Sequence, residues 1–89
     1  MLELKITIIN KLGLHARAAA KLINTTSRFS SDVRLVKEGR EVDGKSIMSV
    51  MMLAASKGTE LTVIATGSDQ DDAISAIEAL INNRFDEDE

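Results

Sequence analysis

The chain contains one histidine, His15, with an arginine two positions on, Arg17, in the run "GLHAR". The residues that follow, "AAAKLINTTSRF", have helical spacing and an Ala-rich start, so His15 falls in the N-cap region. Free backbone N–H groups and the helix macrodipole disfavour an imidazolium cation there. A neutral imidazole is a nucleophile, and the same N–H groups, on Ala16 and Arg17, welcome a phosphoryl dianion. The Arg17 guanidinium adds a two-pronged anion partner. The chemistry this arrangement suits is covalent capture of a phosphoryl group on a ring nitrogen. By position alone, His15 reads equally well as a hydrogen-bonded, partly buried histidine at a helix start.

A second stretch raises a different chemistry. "GREVDGKS", Gly39 to Ser46, fits the literal P-loop pattern G-x-x-x-x-G-K-S. The mechanism behind that pattern needs a glycine-rich loop whose backbone wraps phosphate. Here the loop interior is Arg-Glu-Val-Asp. Its carboxylates would point into the cradle, and β-branched Val42 resists the required turns. A return strand, a turn and a helix cap at Ser46 use the same residues without conflict. A Ser-His-Asp triad also lacks support, because no nucleophile elbow is present.

Composition narrows the classes further. The 89 residues suit one small domain with a single core. With 44% hydrophobic and 28% charged residues, the balance is that of an ordinary soluble globular chain. The absence of Cys and the single His leave no disulfide framework and no expected metal or other cofactor. "MLELKITII" lacks the features of a secretory signal, and no apolar run approaches a membrane span. The expected location is cytoplasmic, with no membrane partner. Residues 1–57 carry ten Lys/Arg against five Asp/Glu, whereas 58–89 carry one Arg against nine acidic residues. The first part is built to meet something acidic. Nucleic acid is a poor candidate, since two Phe and no Tyr or Trp offer almost no stacking platform.

The elements that must position His15 follow from periodicity. "LELKITIIN" alternates, with Leu2, Leu4, Ile6 and Ile8 on one face, as in a half-exposed antiparallel strand. Asn10 to Gly13 is a turn. The next helix buries Ala18, Ala19, Leu22, Ile23 and Thr26 and presents Arg17, Lys21, Asn24 and Arg28. Val33 and Leu35 point inward from a strand that returns after a Glu38-Gly39 turn. "SIMSVMMLAAS" is a short helix capped by Ser46 and ended by Lys57-Gly58. Leu61, Val63 and Ala65 mark a fourth strand. Ser68 is the expected cap of a last helix that buries Ala73, Ile74, Ile77, Leu80 and Ile81. The order β-α-β-β-α-β-α predicts an α+β fold, with three helices covering one face of a four-stranded antiparallel sheet. Residues 1–85 are expected to form the domain and 86–89 a solvated, frayed acidic tail.

"NKLGLHARAAAKL" and "DGKSIMSVMMLAASKGTELTVIATG" resemble the active-site and second-helix regions of the HPr family, the histidine phosphocarriers of the bacterial phosphotransferase system. The resemblance spans about residues 2–85, and the "FDEDE" end is similar to the nitrogen-related paralogue NPr. It implies an open-faced β-sandwich in which His15 takes a phosphoryl group on Nδ1 from enzyme I, itself charged by phosphoenolpyruvate. The group then passes to an enzyme IIA protein. Arg17 matches the arginine beside the phosphoryl group. Ser46, by itself only a helix cap, matches the serine phosphorylated by the ATP-dependent HPr kinase/phosphorylase. Ala20, Lys21, Ile47, Met48 and Met51 match partner-contacting positions. The protein is then a monomeric carrier, and not an enzyme that turns over substrate. Ala18 departs from the family's G-L-H-x-R-P pattern, which leaves the sugar and nitrogen branches both open. A regulatory relative with vestigial transfer at His15, or an unrelated α+β ligand-binding module, are the competing readings.

Overall fold

The computed structural model describes residues 1–89. Strand β1 (Leu2–Thr7) leads into helix α1 (Ala16–Thr26), then strands β2 (Asp32–Lys37) and β3 (Arg40–Asp43). Helix α2 (Ile47–Met52), strand β4 (Glu60–Thr66) and helix α3 (Gln70–Asn82) follow, and a short turn at Arg84–Asp86 completes the order. The four strands form one antiparallel sheet in the order β1-β4-β2-β3. This is the α+β sandwich expected from the pattern, in the open-faced form that the family resemblance implies.

Alternation decides which face is dry. Val33 and Leu35 on β2 and Leu61, Val63 and Ala65 on β4 are fully buried. They meet Ala18, Ala19 and Leu22 of α1 and Ala73, Ile74, Ile77 and Ile81 of α3 in one cluster. Glu3, Lys5 and Thr7 stay exposed on the opposite face of β1. Glu38 and Gly39 link β2 to β3 with φ of 50° and 82°. Positive φ at both loop residues gives a turn whose twist matches the strands. The P-loop-like stretch therefore runs through the hairpin, β3 and the cap of α2. Lys45 does not face a cradle, because its Nζ donates to the carbonyl of Phe29 at 2.7 Å.

Three local expectations are corrected. Helix α2 ends at Met52, short of Lys57-Gly58. Its terminal carbonyls find cations from the neighbouring hairpin: Lys37 Nζ donates to Leu53 and Ala54, and Arg40 to Met52. Those bonds satisfy groups that one more helical turn would otherwise satisfy. Ala54 then takes a positive φ of 52° and the chain leaves the helix.

The cap of α3 is Asp69 rather than Ser68, and it makes no side-chain capping bond. Its carboxylate instead accepts the backbone N–H groups of Ser30 and Ser31, each at 2.9 Å, and the Ser31 hydroxyl. The Ser31 hydroxyl first, then the Ser30 N–H, lowers the Asp69 pKa from 3.8 to about 2. A depressed carboxylate stabilises the fold above its unfolded pKa, and that stabilisation is lost as pH falls through the folded value. Acid sensitivity from this site is therefore expected between about pH 4 and about pH 2. Urea unfolding across that range should show a shallower acid limb for Asp69→Asn than for wild type. Parallel limbs would remove Asp69 from the acid response.

The third correction concerns the end of the chain. Residues 86–89 do not form a free tail. Arg84, Phe85 and Asp86 adopt φ of 55°, 54° and 62°, a left-handed turn that L-residues adopt only at a cost. The turn sends Phe85 into the core, where it is fully buried. The last residues are carried back towards the start of α1.

Candidate functional site

The loop that delivers His15 is held from below. Gly13 has φ of 67°, and a Cβ there would lie 2.5 Å from the Ala55 carbonyl oxygen. Only glycine fits both that conformation and that contact. Leu14 N–H donates to the same Ala55 carbonyl at 2.8 Å. Asn10, fully buried, donates from Nδ2 to the Gly13 carbonyl at 2.8 Å. The loop is thereby fixed against the segment that follows α2.

His15 is the N-cap of α1, as the sequence predicts, with extended backbone at φ −74° and ψ 179°. Its carbonyl accepts the Ala19 N–H at 2.8 Å. The ring caps the helix as well, since Nδ1 accepts the Arg17 N–H at 3.3 Å. That bond is long and weak, so the nitrogen is easily released. His15 is half-buried, while Ala16 and Arg17 are exposed. An open depression of about 770 Å³ is lined by Lys11, Leu12, the 15–17 run and residues 87–89. It is wide enough for a partner's side chain to approach the ring.

The other ring nitrogen has a partner that the sequence reading missed. His15 Nε2 lies 2.5 Å from a carboxylate oxygen of Glu87, and the second oxygen accepts Asn10 Nδ2 at 3.0 Å. Burial pushes the Glu87 pKa up. Hydrogen bonds from Asn10 and His15, with the charges of His15 and Lys21, outweigh it and hold the carboxyl below the usual glutamate value. The tail is fastened at two more points. Lys11 N–H donates to the Glu89 carbonyl at 2.7 Å. Lys21 Nζ donates to the Phe85 carbonyl at 2.8 Å.

The remaining predicted residues fall on an adjoining surface. Ser46 caps α2, its Oγ accepting the Ser49 N–H at 3.3 Å. Val50 and Leu53 are buried beneath the helix, whereas Ile47 (39%), Met48 (70%) and Met51 (41%) stay exposed. Met52, at 59% exposure, joins them and was missed. Helices α1 and α2 pack against each other, which sets this apolar patch beside the basic helix. Ala20 is half-buried on α1. Lys21 is partly committed to the tail. Asn10 and Glu87 carried no local signal. Phe85 did carry one, as an aromatic residue standing directly before an acidic run.

Comparison with known proteins identifies the family. A family profile described as the PTS HPr component phosphorylation site matches residues 2–83. The phosphocarrier protein HPr of Pseudomonas aeruginosa is 57% identical, with 100% of both chains covered. The crystal structure of HPr-C-His from Thermoanaerobacter tengcongensis superposes with a TM-score of 0.97 at 43% identity, covering 100% of both chains. An HPr dimer from the same organism matches at a TM-score of 0.79 and 44% identity, covering 98% of this chain and 100% of that one. With the family matched over nearly its whole length and a relative more than half identical from end to end, the chain belongs to the HPr family of phosphocarrier proteins of the phosphotransferase system.

Proposed function

We propose that His15 accepts a phosphoryl group from phospho-enzyme I and passes it to an enzyme IIA protein. The observation that carries this reading is the cap geometry: Nδ1 is turned onto the free N–H of Arg17 at the rim of an open depression. The Nδ1 lone pair attacks phosphorus, a nitrogen–phosphorus bond forms, and the electron pair of the broken bond stays with the donor. Nδ1 gives up its weak bond to Arg17, whose N–H then donates to a phosphoryl oxygen. Arg17, exposed and without an ion pair in the chain, is free to add its guanidinium to the same dianion. Transfer to enzyme IIA reverses these steps. The protein acts as a cytoplasmic, monomeric carrier, without turnover of its own.

The exposed apolar patch of Ile47, Met48 and Met51, with Ala20 and Lys21 alongside, is the docking face for both partners in turn. Flexible Met side chains suit repeated use with different surfaces. Ser46, at the edge of that patch, is the regulatory position for an ATP-dependent HPr kinase/phosphorylase. A phosphate there adds negative charge to the docking face without needing to unfold the helix.

Two incubations test this. Phosphoenolpyruvate, Mg²⁺ and enzyme I should place acid-labile phosphate on His15, discharged on adding enzyme IIA. Absence of label, or label on another residue, overturns the carrier role. ATP with HPr kinase should place acid-stable phosphate on wild type and none on Ser46→Ala. Acid-stable label that persists in the variant removes the regulatory assignment.

A further inference from the structure

We propose that Glu87 is a positioning residue for His15: its carboxylate holds the ring proton on Nε2 and so reserves Nδ1 as the nucleophile. This rests on reading His15 as the phosphoryl acceptor. A neutral imidazole carries one proton, and the nitrogen that keeps it cannot attack. Glu87 accepts at 2.5 Å from Nε2, and an ionised carboxylate only accepts hydrogen bonds. The neutral ring is therefore protonated at Nε2, with its lone pair on Nδ1. On the other side of the ring, the Arg17 N–H points at Nδ1, a contact that only the unprotonated nitrogen can make. Both neighbours select the same tautomer.

The carboxylate also matches the charge that develops. Attack by Nδ1 turns the ring into an imidazolium with phosphorus on one nitrogen and the proton still on the other. Glu87 lies against that proton throughout, so no proton moves during the step. When the group leaves for its acceptor, the electron pair of the nitrogen–phosphorus bond returns to Nδ1 and the starting tautomer is restored. A carboxylate that orients an imidazole in this way does so without taking the proton itself.

Glu87 is in turn held in place. Asn10 is fully buried, and its Nδ2 donates both to Gly13 and to Glu87. Because Gly13 offers a carbonyl, the amide orientation of Asn10 is fixed with its N–H₂ towards residue 87. This makes Glu87→Gln informative. The glutamine oxygen must face Asn10, leaving its own N–H₂ towards His15 Nε2. That donor requires a lone pair on Nε2 and drives the ring proton to Nδ1. Glu87→Ala removes the carboxylate's share of the bias and leaves only the long Arg17 contact at Nδ1.

The test uses the full chain labelled with ¹⁵N, its ring tautomer read by long-range proton–nitrogen spectra at a pH where the imidazole is neutral. Phosphoryl uptake from enzyme I is measured in parallel. Wild type should be predominantly Nε2–H. Glu87→Gln should gain the Nδ1–H form and lose uptake by about tenfold or more. Glu87→Ala should give mixed tautomers and an intermediate rate. Unchanged tautomers in Glu87→Gln, or unchanged uptake despite a shifted tautomer, overturn the assignment. So does faster uptake in Glu87→Ala, which would make the tail a cover over the ring. Failure of wild type to take up phosphate overturns the carrier reading and this assignment together, whereas unchanged tautomers overturn this assignment alone.

Discussion

His15→Ala is expected to abolish phosphoryl uptake from enzyme I while leaving a folded protein. No second histidine exists to substitute, and no Cys is present to supply another strong nucleophile. The loss in transfer should be complete within detection, because a missing nucleophile removes the covalent step itself. The cost in stability is of another order. His15 contributes its ring cap to α1 and one arm of the Glu87 clamp, and losing an N-cap side chain costs about 0.5–2 kcal/mol. Circular dichroism should show native secondary structure with a modestly lowered midpoint in urea. Residual label in His15→Ala at the wild-type rate would place the acceptor elsewhere. Global unfolding would give the ring a structural importance that its half-exposed position does not suggest.

The contrast between small structural and large chemical consequences bears on what could be read from the sequence. His15, Arg17 and the helix behind them were legible because local rules decide them: a turn ending in Gly13, a change of period, an Ala-rich run. The strand faces were legible because Val33, Leu35, Leu61 and Val63 alternate without exception. The end of α2 was not, because the cations that take up its carbonyls, Lys37 and Arg40, come from a different element. The cap of α3 failed for the same reason: Asp69 bonds across the sheet end to Ser30 and Ser31. Only tertiary packing brings those groups together. The tail was the largest miss. A run of four acidic residues reads as solvated by composition. In the fold Lys11 pairs with Glu89 and Lys21 lies near Asp86, contacts between distant stretches that composition does not predict.

Phe85→Ala should then be the most damaging single change to stability. Phe85 is the largest of the fully buried side chains, and truncating a buried phenylalanine costs about 3–5 kcal/mol. That is a large fraction of the stability of a domain this size, about 5–15 kcal/mol. Here a second effect adds to the cavity. Residues 84–86 hold a left-handed turn that has no glycine to relieve it, and burial of the ring is what offsets that strain. Without the ring the turn should relax, and Glu87 should leave Asn10 and His15. Urea unfolding is expected to register the stability loss, and the His15 ring resonances should move towards those of Glu87→Ala. Phe85→Leu, which restores most of the apolar volume, should recover stability and ring resonances together. If Phe85→Ala loses stability but keeps the wild-type ring signals, the clamp on His15 holds without its anchor, and the coupling between core and site is refuted. If stability barely changes, the burial of Phe85 is not what keeps the end of the chain in place.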